Sequence, residues 1–74
     1  MASLFIYENI QYQYVSGFIA EERWKATREA INGRFQVAGG LHTRKLFEQN
    51  KNAWRESFRQ VIEEILAEID AETN

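Results

Sequence analysis

The segment Gly39-Gly40-Leu41-His42-Thr43-Arg44-Lys45 holds the residue types best suited to chemistry in this chain. Two glycines ahead of a helix start can leave backbone N–H groups open. Arg44 and Lys45 add positive charge, so the ligand such a segment would take is a phosphate. The spacing is not that of a P-loop, whose Gly-Lys pair follows its first glycine at a longer, fixed interval. It is not that of a dinucleotide fingerprint either. A hinge followed by a basic first turn accounts for the same residues without a ligand.

His42 is the only histidine and the chain has no cysteine. Thiolate metal sites, a cysteine nucleophile and disulfides are thereby excluded, and a zinc site would need carboxylates at unusual spacing. Asp70 is the only aspartate, and the sequence places no partners for it in a Ser-His-Asp triad. The paired carboxylates are Glu21-Glu22 and Glu63-Glu64. Adjacent positions on a helix point to different sectors, so these pairs read as surface charge and not as an acid–base dyad. No catalytic residue, cofactor site or metal site is expected, and the chain is expected not to be an enzyme.

The charges are more informative. All nine Lys and Arg lie between Arg23 and Arg59, and residues 23–59 carry a net +6. Residues 60–74 hold Glu63, Glu64, Glu68, Asp70 and Glu72 with no base, a net −5. Trp24, Phe35 and Trp54 stand among the bases. Cations interleaved with aromatics suit a single strand or a phosphate-tracking groove, so nucleic-acid binding by residues 23–59 is the alternative function. The overall charge of −2 provides no general attraction to nucleic acid or to an anionic membrane.

The elements that must position these residues follow from the hydrophobic pattern. In Ser3–Val15, Ile10, Tyr12 and Tyr14 alternate with Gln11 and Gln13. This period of two predicts an N-terminal β-hairpin over about 3–15, turning at Glu8-Asn9. Phe5, Tyr7, Ile10, Tyr12 and Tyr14 would share one face, with Leu4, Ile6, Gln11 and Gln13 on the other. Ser16-Gly17 breaks the pattern. A first helix is predicted over about 18–32, capped by Ser16, with Glu21 and Glu22 in its early turns and Asn32-Gly33 as its stop. Residues 34–38 are predicted as a short extended segment and Gly39-Gly40 as a hinge. A single long amphipathic helix then spans about 41–71. The fold class predicted is α+β in one small domain, residues 1–74. The order strand, helix, helix is similar in outline to ribbon-helix-helix dimers, although the extended region and the last helix are longer here.

The long helix carries the stripe Phe47, Trp54, Phe58, Val61, Ile62, Ile65, Leu66, Ile69. Phe47, Phe58 and Ile69 are spaced by eleven, a period that keeps a helix straight. Asn50 and Lys51 interrupt the stripe, so deep burial is predicted to begin near Trp54. Its bases precede its acids, an order that opposes the helix dipole. A second copy running antiparallel would lay each basic half on an acidic half, which predicts a homodimer with this helix at its twofold interface. The partner-binding residues expected are Trp54 and Phe58 for association, and Arg44, Lys45, Arg55 and Arg59 for charge recognition.

The chain has 74 residues, 45% hydrophobic and 27% charged, a balance that folds. At this length a monomer is marginal without help, which again favours association. Its 14% aromatic content leaves material for an interface. No apolar run approaches the roughly 20 residues of a membrane span, and no secretory signal is visible. The expectation is a cytoplasmic, non-enzymatic protein-interaction module, an inhibitor or regulator with a protein partner of unknown identity. Its size and style also suit a phage-borne regulator, by analogy alone.

Overall fold

The computed structural model describes residues 4–37 and 39–73, and its elements are all helical. Helix α1 is Leu4–Val15, α2 is Glu21–Gln36, α3 is Gly40–Gln49 and α4 is Glu56–Thr73, with a single 3-10 turn at Lys51–Ala53. Among the described residues there is no strand, so the α+β class, the hairpin and the ribbon-helix-helix outline are all corrected to an all-α fold.

The hairpin fails for a physical reason. An isolated hairpin has no third strand to pair with and is barely stable, whereas a helix satisfies its backbone polar groups internally. In α1 the inward residues are Leu4, Tyr7, Ile10, Gln11 and Tyr14, a helical set rather than an alternating one. The alternation of Ile10, Tyr12 and Tyr14 with two glutamines is a local coincidence that packing overrides. Ser3 lies outside the described residues. Helix α1 ends in a Schellman motif: Phe18 N–H donates to the Gln13 carbonyl at 2.8 Å and Gly17 N–H to that of Tyr14 at 3.0 Å. Gly17 takes φ 83° to make it.

Helix α2 begins later and ends later than predicted. Its N-cap is Ala20, so Ser16 caps nothing there. It runs through Gly33 to Gln36, which corrects both the stop at Asn32-Gly33 and the extended segment over 34–38. Trp24, Ile31 and Phe35 share one buried stripe. Continuing past Gly33 costs about 1 kcal/mol in propensity, and burying Phe35 returns roughly 1.5–3 kcal/mol. The extended conformation starts only at Val37, and Ala38 lies outside the described residues. The turn into α3 uses Gly39 at φ 89°. Gly40 lies so close to α2 that a Cβ there would run into the Phe35 carbonyl oxygen.

The single long helix over 41–71 is corrected to two. Asn50 ends α3, its Nδ2 donating to the Leu46 carbonyl at 2.9 Å. Trp54 then adopts extended backbone at φ −88°, ψ 144°. A straight helix cannot bury its stripe against itself, while a broken one can. The break falls where Asn50 and Lys51 interrupt the stripe. It lets Trp54 pack between Phe47 and Phe58, at ring-centroid distances of 6.2 and 5.5 Å. The Trp54 indole N–H donates to the Phe47 carbonyl at 3.4 Å. Phe47, Phe58, Ile31, Ile62 and Ile65 form the fully buried centre.

Candidate interaction surfaces

The basic and acidic halves meet inside the chain. Arg44 of α3 pairs with Asp70 of α4 at 3.1 Å, and Lys51 pairs with Glu63 at 3.3 Å. Moving forward from Arg44 to Lys51 moves back by the same number of residues from Asp70 to Glu63. Both pairs fasten the basic stretch that runs from α3 into the 3-10 turn onto the acidic helix α4. The pairing expected between two copies is thus made within one, and it explains why the charges oppose the dipole of a continuous helix.

Two further clasps tie the other helices to α4 and its approach. Arg28 of α2 binds Glu68 with two hydrogen bonds, 3.2 and 2.8 Å, and lies 3.9 Å from Glu64. The hydrogen bond from Arg28 holds the Glu68 carboxyl below its usual range, and the same bond raises the Arg28 guanidinium. Glu8 of α1 accepts from the Arg55 backbone N–H at 2.8 Å. The Arg55 guanidinium lies over the Tyr12 ring at 4.4 Å from its centroid. Gln11, buried in α1, accepts from the Ser57 hydroxyl at 3.3 Å, so this polar group in the core is satisfied.

The predicted site residues therefore go to different places. Trp54 and Phe58 are in the core, Phe58 fully buried. Arg44 and Arg55 are engaged in the pairs just described. Arg59 reaches the Lys51 carbonyl at 3.5 Å, and Lys45 is exposed. These six residues do not form one surface. His42 is also exposed. It lines a shallow, open concavity with Leu41, Arg44, Lys45, Glu48 and Gln49, where the Glu48 carboxylate opposes an anion.

The surface that sequence reasoning missed is the outer face of α1. Phe5 is 60% exposed, Ile6 51%, Val15 57%, and Phe18 just beyond the helix 78%. Asn9, Tyr12 and Ser16 are exposed on the same side. Glu8 is the only charged residue of α1, and its side chain is 13% exposed because it turns to Arg55. The outer side of α1 thus carries large apolar groups and no exposed charge of its own, with the half-exposed Arg55 guanidinium lying over Tyr12. One signal of it is present in the sequence: Leu4, Phe5, Ile6, Tyr7, Ile10, Tyr12, Tyr14 and Val15 are more apolar residues than one core-facing stripe can bury. Leu41 and Val37 are exposed as well, at the corner between α2 and α3.

Comparison of the chain with protein-family models, curated proteins and solved structures finds no significant match.

Proposed function

We propose that this chain is a non-enzymatic protein-interaction module, an inhibitor or regulator that engages its partner through the outer face of α1. The observation that carries this reading is that the large side chains Phe5, Ile6, Tyr12 and Val15 of α1, with Phe18 just beyond it, are left exposed. Contiguous exposed apolar surface on a small protein marks a contact site. Such a face suits the apolar centre of a protein interface, where charged residues are depleted and aromatic ones enriched.

The charge pattern favours protein over nucleic acid. Arg28, Arg44, Lys51 and Arg55 are spent on carboxylates of the same chain. Of the remaining bases, Arg23 and Lys25 sit two positions apart on α2 and so project about 200° from one another. They do not form one phosphate-tracking stripe, and the cation beside the α1 face, Arg55, is engaged with Glu8 and the Tyr12 ring. Among the described residues no helix is long and apolar enough to cross a membrane.

The test is the double substitution Ile6→Glu with Val15→Glu. Both positions are exposed, so the circular-dichroism spectrum and melting temperature should stay near those of the parent. Affinity capture from the native cells should lose its specific protein partners at least tenfold. Partners captured equally well by the double variant would sink the proposal, and a salt-sensitive shift of unrelated DNA by both proteins would replace it with the nucleic-acid alternative.

A further inference from the structure

The break between α3 and α4 contains no residue that requires it. Residues 50–55 include no glycine, and the chain has no proline. Among the described residues positive φ occurs only at Gly17 and Gly39. Asn50 at φ −111° and Trp54 at φ −88° can each turn into helical conformation without a steric penalty. The apolar stripe also ignores the break. Phe47, Phe58 and Ile69 keep their spacing of eleven through it, so α3 and α4 are two pieces of one amphipathic pattern.

What makes the break is the seat of α4 on the rest of the chain. Helix α4 buries Phe58, Ile62 and Ile65 as it packs against α1 and α2. Arg28, Arg44 and Lys51 pair with its carboxylates, and Gln11 accepts from its Ser57 hydroxyl. Each of these contacts joins α4 to residues that precede the break or lie at its start. The contacts that belong to the break itself are few. The Trp54 indole N–H reaches the Phe47 carbonyl at 3.4 Å, and Arg59 reaches that of Lys51 at 3.5 Å. The Arg55 backbone N–H donates to Glu8 at 2.8 Å. In a continuous helix that N–H would donate to the Lys51 carbonyl instead.

From this we infer that α4 exchanges between copies of the chain. Residues 50–55 join the helix, α3 and α4 become one rod, and α4 takes its seat on a second copy, whose own α4 returns the exchange. The seat fixes the occupant. A lone rod would leave Phe58, Ile62 and Ile65 in water, and the surface that fits them is the one α4 has vacated, present on the other copy. The contacts of α4 with the earlier helices re-form between copies, so the exchange loses only those at the break. Charge favours the closed form. In the rod Lys51, Arg55 and Arg59 would stand one turn apart with like sign, which disfavours it. Concentration works the other way, because each exchange consumes two copies. The inference is independent of what covers the outer side of α1.

The experiment refolds the full chain from urea at millimolar concentration and separates the products by size. A fraction at twice the monomer mass of 8.7 kDa is expected. It should persist on dilution, because α4 must leave its seat before the copies part. Because the chain has no cysteine, a short bismaleimide can then test the exchange. Arg44→Cys and Asp70→Cys chains refolded together should give a dimer linked between positions 44 and 70 of different copies. Glu56→Pro supplies the second arm. Glu56 is exposed and opens α4, a position that tolerates proline, so the monomer should melt near the parent temperature. Inside a rod the same proline removes a hydrogen bond and clashes with the Asn52 carbonyl, so the dimer fraction should fall at least tenfold. A chain that refolds only to monomer overturns the inference. A dimer without the link between positions 44 and 70, or one undiminished in Glu56→Pro, overturns it as well. The linking arm does not depend on how the proline variant folds.

Discussion

Arg44 and Asp70 stand 26 residues apart in sequence and 3.1 Å apart in space. With Lys51 and Glu63 they fasten α3 and the 3-10 turn to α4. If that fastening is what the charge segregation serves, reversing one partner should weaken the fold slightly and reversing both should restore it. Arg44→Asp alone is expected to cost about 0.2–1 kcal/mol, the range for exposed pairs. Arg44→Asp combined with Asp70→Arg should recover most of it. Urea unfolding of the parent, both single variants and the double variant checks this, and additive losses would argue against a direct pairing.

Two glycines should respond in opposite directions. Gly33 lies inside α2 with open space where a Cβ would be. Gly33→Ala should stabilise the chain by about 0.4–1 kcal/mol, since it lowers the entropy of the unfolded state at a helical position. Gly40→Ala would drive a Cβ into the Phe35 carbonyl, so it should destabilise by about 1–3 kcal/mol, as overpacking does. Thermal melts of the two variants separate these outcomes, and a neutral Gly40→Ala would contradict the close approach of α3 to α2.

The two halves of the chain differ in how much of this was legible. The helical character of α2 and of the C-terminal half follows from composition and spacing, and so does the buried stripe of Phe58, Ile62, Ile65 and Ile69. The polar interruption at Asn50 and Lys51 also marks the right place, but it signals a chain reversal and not a lightly buried turn. A local reading has no view of the long-range gain when Trp54 meets Phe47 and Phe58. Residues 4–15 mislead because Tyr, Ile and Phe favour strands while their alternation with Gln imitates a pleat. Only the burial of Gln11 beside Ser57 reveals the helical face. For the binding face, Arg44 and Arg55 are absorbed into intramolecular ion pairs, Arg59 turns to a backbone carbonyl, Lys45 stays exposed, and the aromatic anchors Trp54 and Phe58 go to the core.

Substituting one of those anchors should therefore act on stability first. Trp54 packs against Phe5, Phe47 and Phe58 and is 7% exposed. Trp54→Ala should cost about 3–5 kcal/mol, the range for large-to-small changes of aromatic core residues. Denaturant unfolding should show a much lower midpoint or a chain already unfolded. Unchanged stability with lost association would return Trp54 to the surface role expected from sequence.

Acid should loosen the α2–α4 clasp. The Glu68 carboxyl is held below its ordinary value of 4.5 by the hydrogen bond from Arg28. A carboxyl depressed in the folded state adds stability above its unfolded value, and that stability is lost as pH falls through the folded value. Glu68→Gln should thus flatten the acid limb of a stability–pH profile below about pH 4.5. Because the pair is exposed, the change should shrink with added salt. An acid limb identical in parent and variant would remove Arg28–Glu68 as its source.

The central claim is that association uses the exposed apolar side of α1 and not the basic surface of α3. The most direct measurement places a photo-crosslinking benzophenone amino acid at Asn9 in one chain and at Lys45 in another, both exposed positions, and irradiates each in the native cells. Strong protein adducts are expected from Asn9 and few from Lys45. Adducts concentrated at Lys45, with none at Asn9, would contradict it.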